Sequence, residues 1–153
     1  MQNMLCVVDM QYPFVNSEDS CYLAEVVQAV RAARQRGEHI LVLEDRGGCS
    51  TVSEIKAELE AYPNVSVLRK GQWDGSLQIA IELSDQLARV PARITACGAF
   101  AEECVTATLV GLRDRFPSIE LEVLRSACVP RPVSRFSPSD WLSLSRRYGL
   151  ILS

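Results

Sequence analysis

Short apolar runs recur along this chain, each followed by a stretch whose apolar residues fall at helical spacing, and that alternation limits the fold more than anything else. Residues 5–8 (Leu-Cys-Val-Val) end in Asp9 and read as a strand buried on both faces. A helix is predicted over 21–36, with Leu23, Val26, Val27, Val30 and Ala33 on one side and Gly37 placed to end it. Strands follow at 39–44, 65–69, 93–97 and 121–124, and helices at 52–61, 77–88 and 104–115. Pro130, Pro132 and Pro138 then precede a short helix over 139–147 and a last apolar run at 150–152. Strands separated by helices need right-handed crossovers, so the expected fold is a three-layer α/β/α architecture with a mostly parallel central sheet. A chain of 153 residues is expected to form one domain over 1–153.

Composition narrows the function classes. A net charge of -3 gives no reason to expect a nucleic acid or an anionic membrane as partner, and the apolar runs are too short to span a bilayer. The opening residues lack the basic start and cleavage site of a signal peptide, so the expected location is cytoplasmic. The six cysteines, at 6, 21, 49, 97, 104 and 128, contain no CxxC pair and are expected to be reduced thiols.

The stretch Cys97-Gly-Ala-Phe-Ala-Glu-Glu-Cys-Val-Thr-Ala-Thr108 turns from strand straight into predicted helix, placing Cys104 at a helix N-terminus. Unpaired N–H groups and the positive dipole end there favour a thiolate, and the same N–H groups can hold an oxyanion. A nucleophilic thiol needs a base. The single histidine, His39, opens a strand and so lies at the wrong edge of the sheet, where a surface or boundary role is expected. Asp9, at the end of a buried strand, is the better base because desolvation raises a carboxyl toward the working range. Lys70, also following a strand, is placed to keep Asp9 ionised, stabilise the thiolate or orient substrate. Strand ends gather such groups in space. A second account has Asp9 capping a loop, Lys70 solvated and Cys104 filling a helix start, and spacing alone favours it.

The motifs add to the residues. Val8-Asp9-Met-Gln11-Tyr-Pro-Phe14, then Arg69-Lys70-Gly71 leading into Trp73-Asp-Gly-Ser76, then Gly98-Ala-Phe-Ala-Glu-Glu-Cys104-Val105 with Thr108, together resemble the isochorismatase-like cysteine hydrolases over essentially the whole chain. The resemblance implies a catalytic triad of Asp9, Lys70 and Cys104. It also implies a cis peptide between Ala99 and Phe100, aiming the N–H groups of Phe100 and Cys104 at an oxyanion. A dimer or tetramer is implied as well.

Departures from the family pattern bear on the chemistry. Relatives with nicotinamidase activity hold a metal with an Asp and histidines after the second strand, whereas Glu44-Asp45-Arg46-Gly47-Gly48-Cys49 offers Asp45 but no histidine. No metal or other cofactor is expected, and Asp45 reads either as a contact to a polar substrate or as a loop carboxylate. Glu102 and Glu103 stand beside Cys104, where they would raise its pKa if they faced the site; capping toward solvent is their expected role. Gln11, Phe14, Trp73 and Asp45 are the candidate pocket residues, Trp73 reading equally as wall or core. Trp141 is expected in the core or an interface. The function expected is a cysteine-dependent hydrolase of a small amide or related carbonyl–nitrogen bond through a thioester. Alternatives are vinyl ether hydrolysis of the isochorismatase type, or a non-catalytic member that binds a small ligand or a partner.

Overall fold

The computed structural model describes residues 2–153. Six strands form one sheet: β1 (Met4–Val8), β2 (His39–Asp45), β3 (Val65–Lys70), β4 (Arg93–Ala99), β5 (Glu120–Val129) and β6 (Leu150–Leu152). Every pairing between them is parallel, in the order β3-β2-β1-β4-β5-β6. The helices are α1 (Ser20–Gln35), α2 (Ser53–Leu59), α3 (Ser76–Ile81), α4 (Thr106–Arg115) and α5 (Pro138–Tyr148).

Continuous apolar runs made the central strands predictable, and all five residues of β1 are buried. Because side chains alternate across a strand, β1 divides its residues between two core layers. Met4, Cys6 and Val8 pack with Leu109, Leu112 and Trp141 on one face. Leu5 and Val7 pack with Val26, Val30 and Ala33 of α1 on the other. The edge strand β3 instead leaves Val67 and Arg69 exposed. α1 stops where Gly37 takes φ +69. At α5, Ser137 and Asp140 form a capping box around Pro138, and Gly149 ends the helix at φ +64. Among the described residues no helix is long and apolar enough to cross a membrane.

Two elements differ from the sequence expectation. The strand expected at 121–124 runs on to Val129, because Ala96 pairs with Val123 while Gly98 pairs with Cys128 and β5 bulges in between. Exposed Arg125 and Ser126 sit in that bulge and interrupt the apolar run. The helix expected from Cys104 begins earlier, with a wide turn over Ala101–Val105 that leads into α4.

Chain connections from β1 go first to one side of the sheet (β2, β3) and later to the other (β4, β5, β6), so the β1–β4 boundary is the topological switch point. In open parallel sheets, reactive groups collect at such a point, at the carboxyl ends of the strands. The close approach of β1 and β4 depends on Gly98, at φ +119: a Cβ there would lie 2.1 Å from the Val8 carbonyl oxygen. Gly98→Ala is expected to lower unfolding free energy by more than about 3 kcal/mol, or to prevent folding, as measured by chemical denaturation.

Candidate active site

The carboxyl ends of the strands around the switch point bring together Asp9 from the end of β1, Lys70 from the end of β3 and Cys104 from the turn after β4. Asp9 takes a left-handed backbone at φ +49. Two hydrogen bonds hold it there: its N–H donates to the Leu43 carbonyl at 3.0 Å, and its own carbonyl accepts from Gln11 N–H at 2.8 Å. Aspartate tolerates this region better than most residues do.

Lys70 is the largest fully buried side chain. Its Nζ donates to Asp9 Oδ2 at 2.9 Å and to the Gln72 carbonyl at 2.9 Å, and lies 3.6 Å from Asp45 Oδ2. Asp9 Oδ1 is buried with no hydrogen-bond partner, leaving one carboxylate oxygen uncommitted beside the thiol. Only Cys104, at 7% exposure, reaches toward solvent; Asp9 is at 2% and Lys70 at 0%. A molecule entering from outside therefore meets sulfur first.

Burial and mutual charge set the proton affinities. Desolvation raises the Asp9 carboxyl above the ordinary aspartate value, with Asp45 adding to the rise and Lys70 and Cys104 opposing it. Burial works against the Lys70 ammonium, but the hydrogen bond to Asp9 and the negative charges of Asp9, Cys104 and Asp45 more than offset it, so its pKa is raised. Burial first, then Asp9, pushes the Cys104 thiol up to about 12 against the pull of Lys70. Burial thus opposes the thiolate stabilisation expected of a helix start, where Cys104 lies in the Ala101–Val105 turn behind the Phe100 cap.

The turn before Cys104 is held by backbone contacts. The Ala99–Phe100 peptide is cis. The Phe100 carbonyl accepts from Glu103 N–H at 3.1 Å and Val105 N–H at 3.2 Å, and Thr106 Oγ1 donates to the Ala101 carbonyl at 2.7 Å. Thr108, on α4, accepts Gly75 N–H at 3.0 Å and so ties the helix to the segment after Lys70.

The expected pocket residues take different places. Phe14 is half-buried and meets the Phe100 ring edge-on, with centroids 6.0 Å apart, as an apolar wall near the turn requires. Trp73 is 56% exposed, at the surface rather than in the core. Gln11 corrects the pocket expectation. It is fully buried, its Oε1 accepts Asp45 N–H at 2.8 Å, and its Nε2 donates to the carbonyls of Asp45 and Cys49, so it shapes the loop after β2 from behind. Asp45 joins the charged cluster through Lys70. His39 is buried rather than superficial, with Nε2 2.8 Å from Ser66 Oγ, and stands at the amino edge of the sheet away from Cys104.

Glu102 and Glu103 point to neither the thiol nor open solvent. Glu102 accepts Arg131 N–H at 2.6 Å and the Ser134 hydroxyl, and Glu103 pairs with Arg131 Nη1 at 2.7 Å. Sequence reasoning missed Arg131 and Ser134 altogether, because a proline-rich loop residue carries no periodic signal. Glu44 is also structural: its carboxylate accepts Thr51 N–H at 2.6 Å and the Thr51 hydroxyl at 2.9 Å, closing the loop after β2. A separate cavity of about 520 Å³ has Ala101, Cys128, Phe136 and Trp141 in its wall; it lies beside the triad, and none of Asp9, Lys70 or Cys104 lines it.

The divalent metal of nicotinamidase-type relatives does not fit these residues. Asp45 Oδ1 accepts Gly47 N–H at 2.7 Å while Oδ2 faces the Lys70 ammonium, which would repel a cation. Among the described residues no three His, Cys, Asp or Glu side chains converge as a ligand set.

Comparison with known proteins agrees with this geometry. A search of functionally curated sequences finds no match. Among solved structures, the chain is similar to the nicotinamidase of Staphylococcus aureus, at 17% identity and TM-score 0.79 with 100% of both chains covered. It is similar to the N-carbamoylsarcosine amidase of Thermoplasma acidophilum, at 18% identity and TM-score 0.77, covering 100% of this chain and 96% of that one. It is also similar to a ribonuclease of Caenorhabditis elegans, at 21% identity and TM-score 0.80, covering 99% of this chain and 76% of that one. At such identities the likeness carries the fold and leaves the substrate open. A family model, the isochorismatase domain, matches residues 3–130, a span holding Asp9, Lys70 and Cys104, and the chain therefore belongs to the isochorismatase-domain family.

Proposed function

We propose that this protein hydrolyses the carbonyl–nitrogen bond of a small amide or carbamoyl compound through a thioester on Cys104. The observation that carries the reading is the buried Lys70–Asp9 pair, with Nζ 2.9 Å from Oδ2, beside the Cys104 thiol. The fold shared with two amidases, the nicotinamidase and the N-carbamoylsarcosine amidase, supports the same reaction class.

In the first half-reaction Asp9 accepts the thiol proton as sulfur attacks the carbonyl carbon. The carbonyl π pair moves onto oxygen, where N–H groups of the Phe100–Cys104 turn receive the negative charge. Collapse of the tetrahedral species breaks the carbon–nitrogen bond, and Asp9 gives its proton to the departing amine. In the second half-reaction Asp9 takes a proton from water as the water oxygen attacks the thioester. The second collapse breaks the carbon–sulfur bond and the proton returns to sulfur. Lys70 stays protonated and keeps Asp9 ionised between steps.

A raised Asp9 pKa suits this double role. A carboxyl at its ordinary value would be a weak acceptor for a thiol at about 12, and lifting the carboxyl narrows that gap. The smaller the gap, the less the proton transfer adds to the barrier.

Two measurements test the reading. In a panel of amides, carbamoyl compounds and isochorismate, the native chain is expected to turn over a carbonyl–nitrogen substrate and Cys104→Ala to lose at least about a thousandfold in kcat with its fold retained by circular dichroism. Full activity of the alanine variant would eliminate the thioester. In the second, kcat/KM should fall on the acid side as Asp9 gains its proton, at a pH above the ordinary aspartate range because its folded pKa is raised. Lys70 lowers the Asp9 pKa by hydrogen bond and charge, so Lys70→Met should move that acid limb to higher pH; an unmoved limb would assign it to another group.

A further inference from the structure

The segment after β5 has no regular structure up to α5 and carries Pro130, Pro132 and Val133, the last fully exposed with φ +59. What holds it is the turn that carries Cys104. The two oxygens of the Glu102 carboxylate take separate partners on this segment, Oε1 from Arg131 N–H at 2.6 Å and Oε2 from the Ser134 hydroxyl. Ser134 in turn accepts Phe136 N–H at 3.0 Å and donates its own N–H to the Arg131 carbonyl at 3.0 Å. The loop is thus folded around one carboxylate. Glu103, 11% exposed at its side chain, pairs with Arg131 Nη1, and the Arg131 guanidinium lies 6.0 Å from the centre of the Phe100 ring.

These contacts tie the turn to the loop, in addition to the turn's own hydrogen bonds to the Phe100 carbonyl, and the Glu102 carboxylate makes two charge-assisted hydrogen bonds across that join. An oxyanion's donors must be fixed before reaction, because a shift on the order of 1 Å can cost about a hundredfold in rate.

We propose that Glu102 is a positioning residue: by gripping Arg131 and Ser134 it clamps the turn whose N–H groups stabilise the reacting oxyanion. The proposal rests on the amide hydrolysis proposed above for the chemical step, while the clamp itself is independent of it. Loss of the grip should impair transition-state stabilisation and leave ground-state binding largely intact, since Glu102 does not face the thiol. The neutral isostere retains one acceptor oxygen and should retain part of the effect.

The test combines steady-state kinetics with hydrogen–deuterium exchange on the full chain, comparing native protein with Glu102→Ala and Glu102→Gln. Expected for Glu102→Ala is a kcat about a hundredfold lower with KM changed less than about threefold, and a value between native and alanine for Glu102→Gln. Exchange should quicken together in residues 100–106 and 131–136 and nowhere else. Unchanged exchange in these two segments would overturn the clamp, as would quicker exchange with kcat intact. Quickening across the whole chain would also overturn it, because Glu102 would then be a general stabilising residue. Coupled quickening of the two segments in Glu102→Ala, together with a native chain that hydrolyses no amide, would support the clamp and count against the reaction.

Discussion

A lysine and an aspartate are buried against each other at the carboxyl ends of the strands, and the rest of the site depends on that pair. Neither charge is stable alone in such surroundings; removing one partner of a buried pair typically costs about 3–5 kcal/mol. The protein therefore surrounds Lys70 with acceptors, namely Asp9, the Gln72 carbonyl and, slightly farther off, Asp45. It leaves one Asp9 oxygen unmatched. That oxygen is a local fault in stability and a resource for chemistry, because an uncommitted acceptor beside a thiol is what proton transfer from sulfur needs.

The sheet brings the pair and the thiol together over long stretches of sequence. Asp9 and Lys70 stand 61 positions apart, yet the order β3-β2-β1-β4 sets their strand ends two places apart at one edge of the sheet. Cys104 arrives from the strand on the far side of β1. Gly98 allows the backbones of β1 and β4 to approach, and Thr108 links α4 to the segment that follows Lys70. Behind the cluster, Gln11 binds the backbone of Asp45 and so ties the Asp9 segment to the loop after β2. Rigid secondary structure thus carries the reacting groups, with loops tied back onto it.

Much of the fold was legible because buried parallel strands leave continuous apolar runs, and β1, β2 and β4 have them. The bulged half of β5 was not, since Arg125 and Ser126 face solvent and break the pattern. The identities of Asp9, Lys70 and Cys104 came from strand ends and motif resemblance, but their protonation did not. A helix start favours a thiolate, whereas burial in the wide Ala101–Val105 turn pushes the thiol pKa up, an effect no periodic pattern reveals. Glu102 shows the same limit. Its charge was visible beside Cys104, but its partners Arg131 and Ser134 belong to a loop whose course is set by tertiary contacts. Gln11 likewise belonged to a recognisable motif while its side-chain direction did not follow from it.

The proposed hydrolysis requires a covalent bond between substrate carbon and the Cys104 sulfur. Acid-quenched mixtures of the native chain and a turned-over carbonyl–nitrogen substrate, digested and mapped by mass spectrometry, address it directly. An acyl increment is expected on the peptide containing Cys104, formed within the first turnover and lost as product appears. Product formation in that first turnover with no increment on this peptide, or an increment on another cysteine, would contradict it.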